Sequence, residues 1–125
     1  MLSLGARTAS TNCLPPSQGG AGITGSVITL ERAAGGCAPV TFVRSRGNTN
    51  LGTYTVVCSS PQVVSCIERD ETLTVDGIES GSYALHVGGL IGPTQCWVDD
   101  DTLSVPAGAS LVKAIELTPQ QAAGC

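Results

Sequence analysis

The residues of this chain with side chains suited to chemistry are six cysteines, one histidine, one lysine and a run of three aspartates. The cysteines stand at 13, 37, 58, 66, 96 and 125. Thiolates could ligate zinc, but zinc sites need close pairs such as C-x-x-C, and the nearest spacing here is Cys58 to Cys66. A lone histidine also cannot furnish a mixed Cys/His site. An even cysteine count in so short a chain points instead to a disulfide framework and an oxidising compartment. Cysteines held in disulfides leave no thiolate nucleophile. Many pairings are open. Cys58–Cys66 is the preferred local closure, because Pro61 and two serines lie between hydrophobic runs there. Cys37–Cys96 and Cys13–Cys125 then follow by elimination.

His86 lies between Leu85 and Val87 in an alternating run, on the face opposite Tyr83 and Leu85. That position predicts an outer-face residue without the partners that catalysis or metal binding needs. No G-x-S-x-G elbow is present, so serine catalysis has no foundation either. Asp99, Asp100 and Asp101 form the densest charge cluster, with Asp76 and Glu79 in another turn. Hard oxygen ligands suit Ca²⁺, but the spacing does not fit the twelve-residue D-x-D-x-D-G loop. The triplet is therefore a weak calcium candidate and is expected to be a solvated acidic loop. Strict alternation puts Lys113 on the face of Leu111, Ile115 and Leu117, which calls for a bulge or a snorkelling stem. No cofactor and no enzymatic activity are expected.

The elements that hold these residues read as short strands. The chain has 125 residues and 12.6 kDa, enough for one small domain. It is poor in helix-forming composition, with 16 glycines and a single lysine. Runs such as Val40-Thr-Phe-Val43, Thr53-Tyr-Thr-Val-Val57, Thr72-Leu-Thr-Val75 and Tyr83-Ala-Leu-His-Val87 recur between Gly-, Pro- and Asn-rich turns. No window sustains an apolar period of 3.6. The pattern predicts an all-β, two-sheet antiparallel β-sandwich of about seven strands, stabilised by disulfides. Residues 1–21 read as an extended tail, 22–118 as the sandwich and 119–125 as a C-terminal tail. A net charge of −4 leaves no basic face for nucleic acid. The apolar runs are too short for a membrane span. Residues 1–6 are too short for a signal-peptide core, and Asn12 before Cys13 does not suit a lipoprotein cleavage site.

Leu73-Thr-Val-Asp-Gly-Ile-Glu-Ser-Gly-Ser-Tyr-Ala-Leu-His-Val87, followed by Leu103-Ser-Val-Pro-Ala-Gly108 and Lys113-Ala-Ile-Glu-Leu117, resembles carboxypeptidase regulatory-like domains. These are also described as transthyretin-like or Cna-B-like sandwiches. Gly77, Ile78, Gly81 and Tyr83 match their "G-(I/L)-x-x-G-x-Y" turn. The likeness spans roughly 22–118 and is specific over about 72–118. In place of the usual acidic-Gly turn stands the segment from Cys58 to Cys66. The resemblance implies a fold more than a function, since its motif is structural. Two family chemistries do not carry over. The C-terminal Tyr-Arg-Gly-Ser of hydrolytic relatives is replaced here by Gln120-Gln-Ala-Ala-Gly-Cys125. The isopeptide lysine of Cna-B-like domains belongs on an early strand, whereas Lys113 falls on the last.

These features predict a secreted or cell-surface structural sandwich, a subunit of a fibre or sheath. Leu2, Leu4 and Ala6 alternate with Ser3 and Gly5, as a strand added to a neighbour's sheet edge would. Self-association or a protein partner is thus expected. The alternative is an accessory module for carbohydrate or a protein ligand, with only Trp97, Tyr54, Tyr83 and Phe42 as possible platforms.

Overall fold

The computed structural model of the chain describes residues 2–6, 13–68, 70–76, 78–108, 110–119 and 125. In chain order its strands are β1 (Leu2–Ala6), β2 (Gly25–Arg32), β3 (Val40–Arg46), β4 (Thr49–Val56) and β5 (Val63–Ser65). They continue as β6 (Glu71–Val75), β7 (Gly81–Ile91), β8 (Thr94–Val105), β9 (Leu111–Ile115) and β10 (Thr118–Pro119). One sheet has the order β4-β3-β6-β1-β9 and the other β10-β8-β7-β2-β5. All pairings are antiparallel except β1 with β9, which run parallel. The all-β, disulfide-stabilised sandwich is therefore as the alternation predicts. The strands number ten among the described residues, against the seven or so expected. Two differences account for most of this. The supposed tail contributes β1, and Thr118–Pro119 adds a short edge pairing opposite Val98 and Trp97.

Side chains of alternating phase fill the space between the sheets. Leu2, Leu4, Phe42, Val56, Leu73, Val75 and Ile115 come from one sheet. Ile28, Leu30, Tyr83, Leu85, Val87, Leu103 and Val105 come from the other, and all are buried. The sandwich thus begins at residue 2, not 22. Leu2 and Leu4 lie wholly within the core of their own chain. Ala6 ends the strand opposite Ile115. The physical reason is the slot between β6 and β9: without β1, both strands would present unpaired backbone groups beside the apolar side chains of Leu73, Val75 and Ile115. After β1, the chain from Leu14 to Gly22 closes on itself around a short 3₁₀ turn at Pro16–Gln18, with the Gly22 N–H donating to the Leu14 carbonyl.

The disulfides join Cys13 to Cys66, Cys37 to Cys58 and Cys96 to Cys125. None of the expected pairings is present. Cys58 and Cys66 follow strands of different sheets, β4 and β5, because a tight turn at Val57–Ser60 carries the chain across. Cys37 and Cys96 lie toward opposite ends of the sandwich: Cys37 follows the Arg32–Tyr83 end of the β2–β7 ladder, and Cys96 lies beside the Leu90–Gln95 end. Cys13 is engaged with Cys66, so Cys125 is left for Cys96. Cys125, the last residue, is thereby tied to β8 through Cys96.

The turn that enters β7 shows local chemistry setting the fold. Gly81 has φ 141°, a conformation that side-chain-bearing residues rarely adopt. Two residues on, the buried Tyr83 donates its hydroxyl proton to the Glu79 carbonyl at 2.7 Å, tying the ring back to the turn. Gly77 lies outside the described residues. Gly81→Val is expected to destabilise the domain through backbone strain alone, since nothing lies within 4 Å of a Cβ placed there. Tyr83→Ala is expected to lose about 3–5 kcal/mol by opening a core cavity. Urea unfolding of both variants measures this; a loss below about 1 kcal/mol for either would contradict the turn's role.

Candidate functional site

The outer face of the second sheet brings the single histidine to its partners. His86 stands directly opposite Thr29 on β2 and Asp100 on β8, forming a row across three strands. Its Nδ1 lies 2.5 Å from an Asp100 carboxylate oxygen, and its Nε2 lies 3.1 Å from Gln95 Oε1. Gln95 reaches the ring by crossing Gly88, where a Cβ would come within 2.2 Å of the amide oxygen. Any side chain at 88 would therefore displace Gln95. Thr29, Glu31, His86, Asp100 and Thr102 line a shallow open groove of about 390 Å³. The row has the residue types of a hydroxyl–imidazole–carboxylate relay, but the geometry differs. The ring nitrogen that a nucleophile would need is engaged by Gln95. His86 is thus on the outer face as its phase predicts, though with two specific partners that the sequence did not assign to it.

The aspartate triplet is not a loop but the middle of β8, so its side chains alternate between faces. Asp100 goes outward to His86. Asp99 and Asp101 share the phase of Val87 and Leu85 and point toward the other sheet. There Asp99 accepts a hydrogen bond from the Glu116 backbone N–H at 2.9 Å, and Asp101 pairs with Lys113 of β9. Three carboxylates divided between two faces cannot converge on one calcium ion. No group of three or more metal-ligating side chains occurs among the described residues.

Lys113 needs no bulge, since the β1–β9 register runs unbroken through it. It faces inward at the edge of its sheet, where Asp101 meets it across the margin of the sandwich. The hydrogen bond to Lys113 holds the Asp101 carboxyl below its ordinary range, and the same bond raises the Lys113 ammonium. A lowered acid stabilises the fold above the unfolded carboxyl value of about 4 and loses that effect as pH falls. A raised base stabilises below the unfolded amine value of about 10.4 and loses it as pH rises. Lys113→Met is therefore expected to lower the centre of a thermal midpoint–pH curve slightly and leave its acid and alkaline extremes unchanged, so that both limbs flatten. Limbs identical to those of the parent chain would contradict the pairing.

A buried polar cluster, which the composition did not announce, closes the other side of the sandwich. Arg44 of β3 grips Glu71 of β6 with two hydrogen bonds of 2.9 Å, from Nε and Nη2. Their side chains are 12% and 2% exposed. Nη1 donates to the Ser65 hydroxyl at 2.7 Å, and Nη2 to the Cys66 carbonyl at 3.2 Å. Glu71 also accepts the Glu68 backbone N–H at 2.6 Å. One guanidinium thereby links the first sheet to β5 and to the Cys13–Cys66 bridge. Tyr54 stacks on Phe42 beside this pair, and burial pushes its phenol well above the ordinary value. Its hydroxyl has no hydrogen-bond partner. The signal for the cluster was phase: Glu71 alternates with Leu73 and Val75, and Arg44 with Phe42.

A second concavity, about 270 Å³, opens at one end between the sheets. Leu30, Val40, Val75, Ile78 and Tyr83 contribute to its walls. Asp76 and the Arg32–Glu79 ion pair contribute its charge. Of the four aromatic residues, Phe42 and Tyr83 are buried and Tyr54 and Trp97 half-buried. No helix among the described residues is long and apolar enough to cross a membrane. No family model, curated protein or solved structure matches the chain.

Proposed function

We propose that the chain is a non-catalytic, extracellular structural β-sandwich of the carboxypeptidase regulatory-like type, acting as a self-associating subunit of a surface fibre or sheath. The observation that supports this most is the use of its chemically capable groups. Lys113, Asp99, Asp101, Arg44 and Glu71 tie one part of the framework to another, and six cysteines close three bridges. His86 is engaged on both ring nitrogens. A scaffold that must persist outside a reducing cytosol uses its residues in this way. Light scattering and electron microscopy of the concentrated full chain test the reading: regular assemblies support it, and a strict monomer at high concentration overturns it.

The cleft at the end of the sandwich favours a second reading, an accessory module for a protein or carbohydrate ligand. Binding of monomeric chain to a peptide or glycan array, lost when Val40→Arg fills the cleft, would put that reading first.

A further inference from the structure

We propose that copies of this chain associate by exchanging β1, so that Leu2–Ala6 of one copy fills the slot between β6 and β9 of another. The proposal rests on the structural reading above and gives it a mechanism. Covalent layout is the first observation. All three bridges lie downstream of residue 12, linking 13 to 66, 37 to 58 and 96 to 125. β1 therefore lies outside every covalent loop and can leave the sheet with all disulfides intact.

The slot is the second. Among the described residues, β9 is hydrogen-bonded to its sheet through β1 alone. β1 pairs on both sides, antiparallel from Leu2–Val75 to Gly5–Thr72 and parallel from Leu2–Leu111 to Ala6–Ile115. Leu2 and Leu4 are 0% exposed there. A slot with two ladders and an apolar floor selects a particular strand, and the strand that fits is this chain's own, so the partner is a second copy. Exchange restores the same contacts between copies, and its balance depends on concentration and on the connecting segment. From Ala6 to Cys13 the backbone can reach about 24 Å when extended.

Edge-to-edge stacking is the competing route, and the edges at β4, β9 and β10 oppose it. β8 and β9 turn Asp101 and Lys113 inward to each other, β10 contains Pro119, and the β3–β4 ladder shifts register between Arg44 and Ser45. Inward charges, edge prolines and bulges are the devices that discourage such contacts.

Ser3 and Thr74 are opposite one another in the β1–β6 ladder, which makes them a reporter pair. The variant with Ser3→Cys and Thr74→Cys, oxidised as a dilute monomer, locks β1 into its own sheet. On concentration it should form at least tenfold less oligomer than the parent chain. As a second measurement, a Ser3→Cys copy and a Thr74→Cys copy are mixed, concentrated and mildly oxidised. The bridge between position 3 of one copy and 74 of the other should exceed a statistical mixture, and this result stands even if the doubly substituted chain fails to fold. If the locked chain assembles as the parent does, or the mixed copies bridge at random, exchange is wrong while the subunit reading survives. A strictly monomeric parent chain removes both.

Discussion

Complete reduction of the folded chain is expected to abolish its native state at ordinary temperature. The bridges close separations of 53, 21 and 29 residues. Each loop of that size restrains the unfolded chain by about 3–4 kcal/mol in the chain-entropy account. The total stability of a small domain is only about 5–15 kcal/mol. The core contains four aromatic residues at most, which limits what burial alone can supply. Among single bridges, removal of Cys13–Cys66 should do the most damage, since it closes the longest loop and supports the Arg44 cluster through the Cys66 carbonyl. Circular dichroism and thermal scans with and without a strong reductant check this. Unchanged strand content and midpoint after full reduction would show that packing suffices without the bridges.

Arg44→Met and Glu71→Leu should each cost about 3–5 kcal/mol, because either leaves an opposite charge buried without its partner. Replacing both together, Arg44→Met with Glu71→Leu, should cost much less than the two single losses combined. An apolar pair avoids the desolvation of both ions. Urea unfolding of the single and double variants forms the cycle that separates these terms. Additive losses would mean that the two residues stabilise the sheet independently, contrary to their shared hydrogen bonds.

Sequence alternation made the inner face of β7 legible residue by residue: Tyr83, Leu85 and Val87 are buried where the pattern puts them. It was equally informative for Lys113, whose inward phase is real. What alternation lacks is the identity of the residue across the gap. Asp101, more than ten residues earlier on the other sheet, is what makes an inward lysine acceptable. The same limit explains β1 and the disulfides. Leu2 and Leu4 show a strand's period, but a period does not say which ladder receives it. Cys58 and Cys66 are near in sequence, yet a sandwich separates neighbours whenever the chain crosses between sheets. The Arg44–Glu71 pair was within reach, since both residues sit in phase with core positions. A charged residue in an apolar phase is a request for a partner.

The placement of the bridges also governs how the chain would behave under tension applied to its two ends. The Cys37–Cys58 bridge is nested within the span closed by Cys13–Cys66, so 13–66 acts as a single link. The span 96–125 acts as another. Only the stretch before Cys13 and the stretch between Cys66 and Cys96 can lengthen, giving a contour of about 150 Å, where the unbridged chain would reach about 430 Å. A pulled molecule would therefore lengthen only through β1 and the stretch from Cys66 to Cys96 and then stop short, with most of its length held in reserve behind sulfur–sulfur bonds.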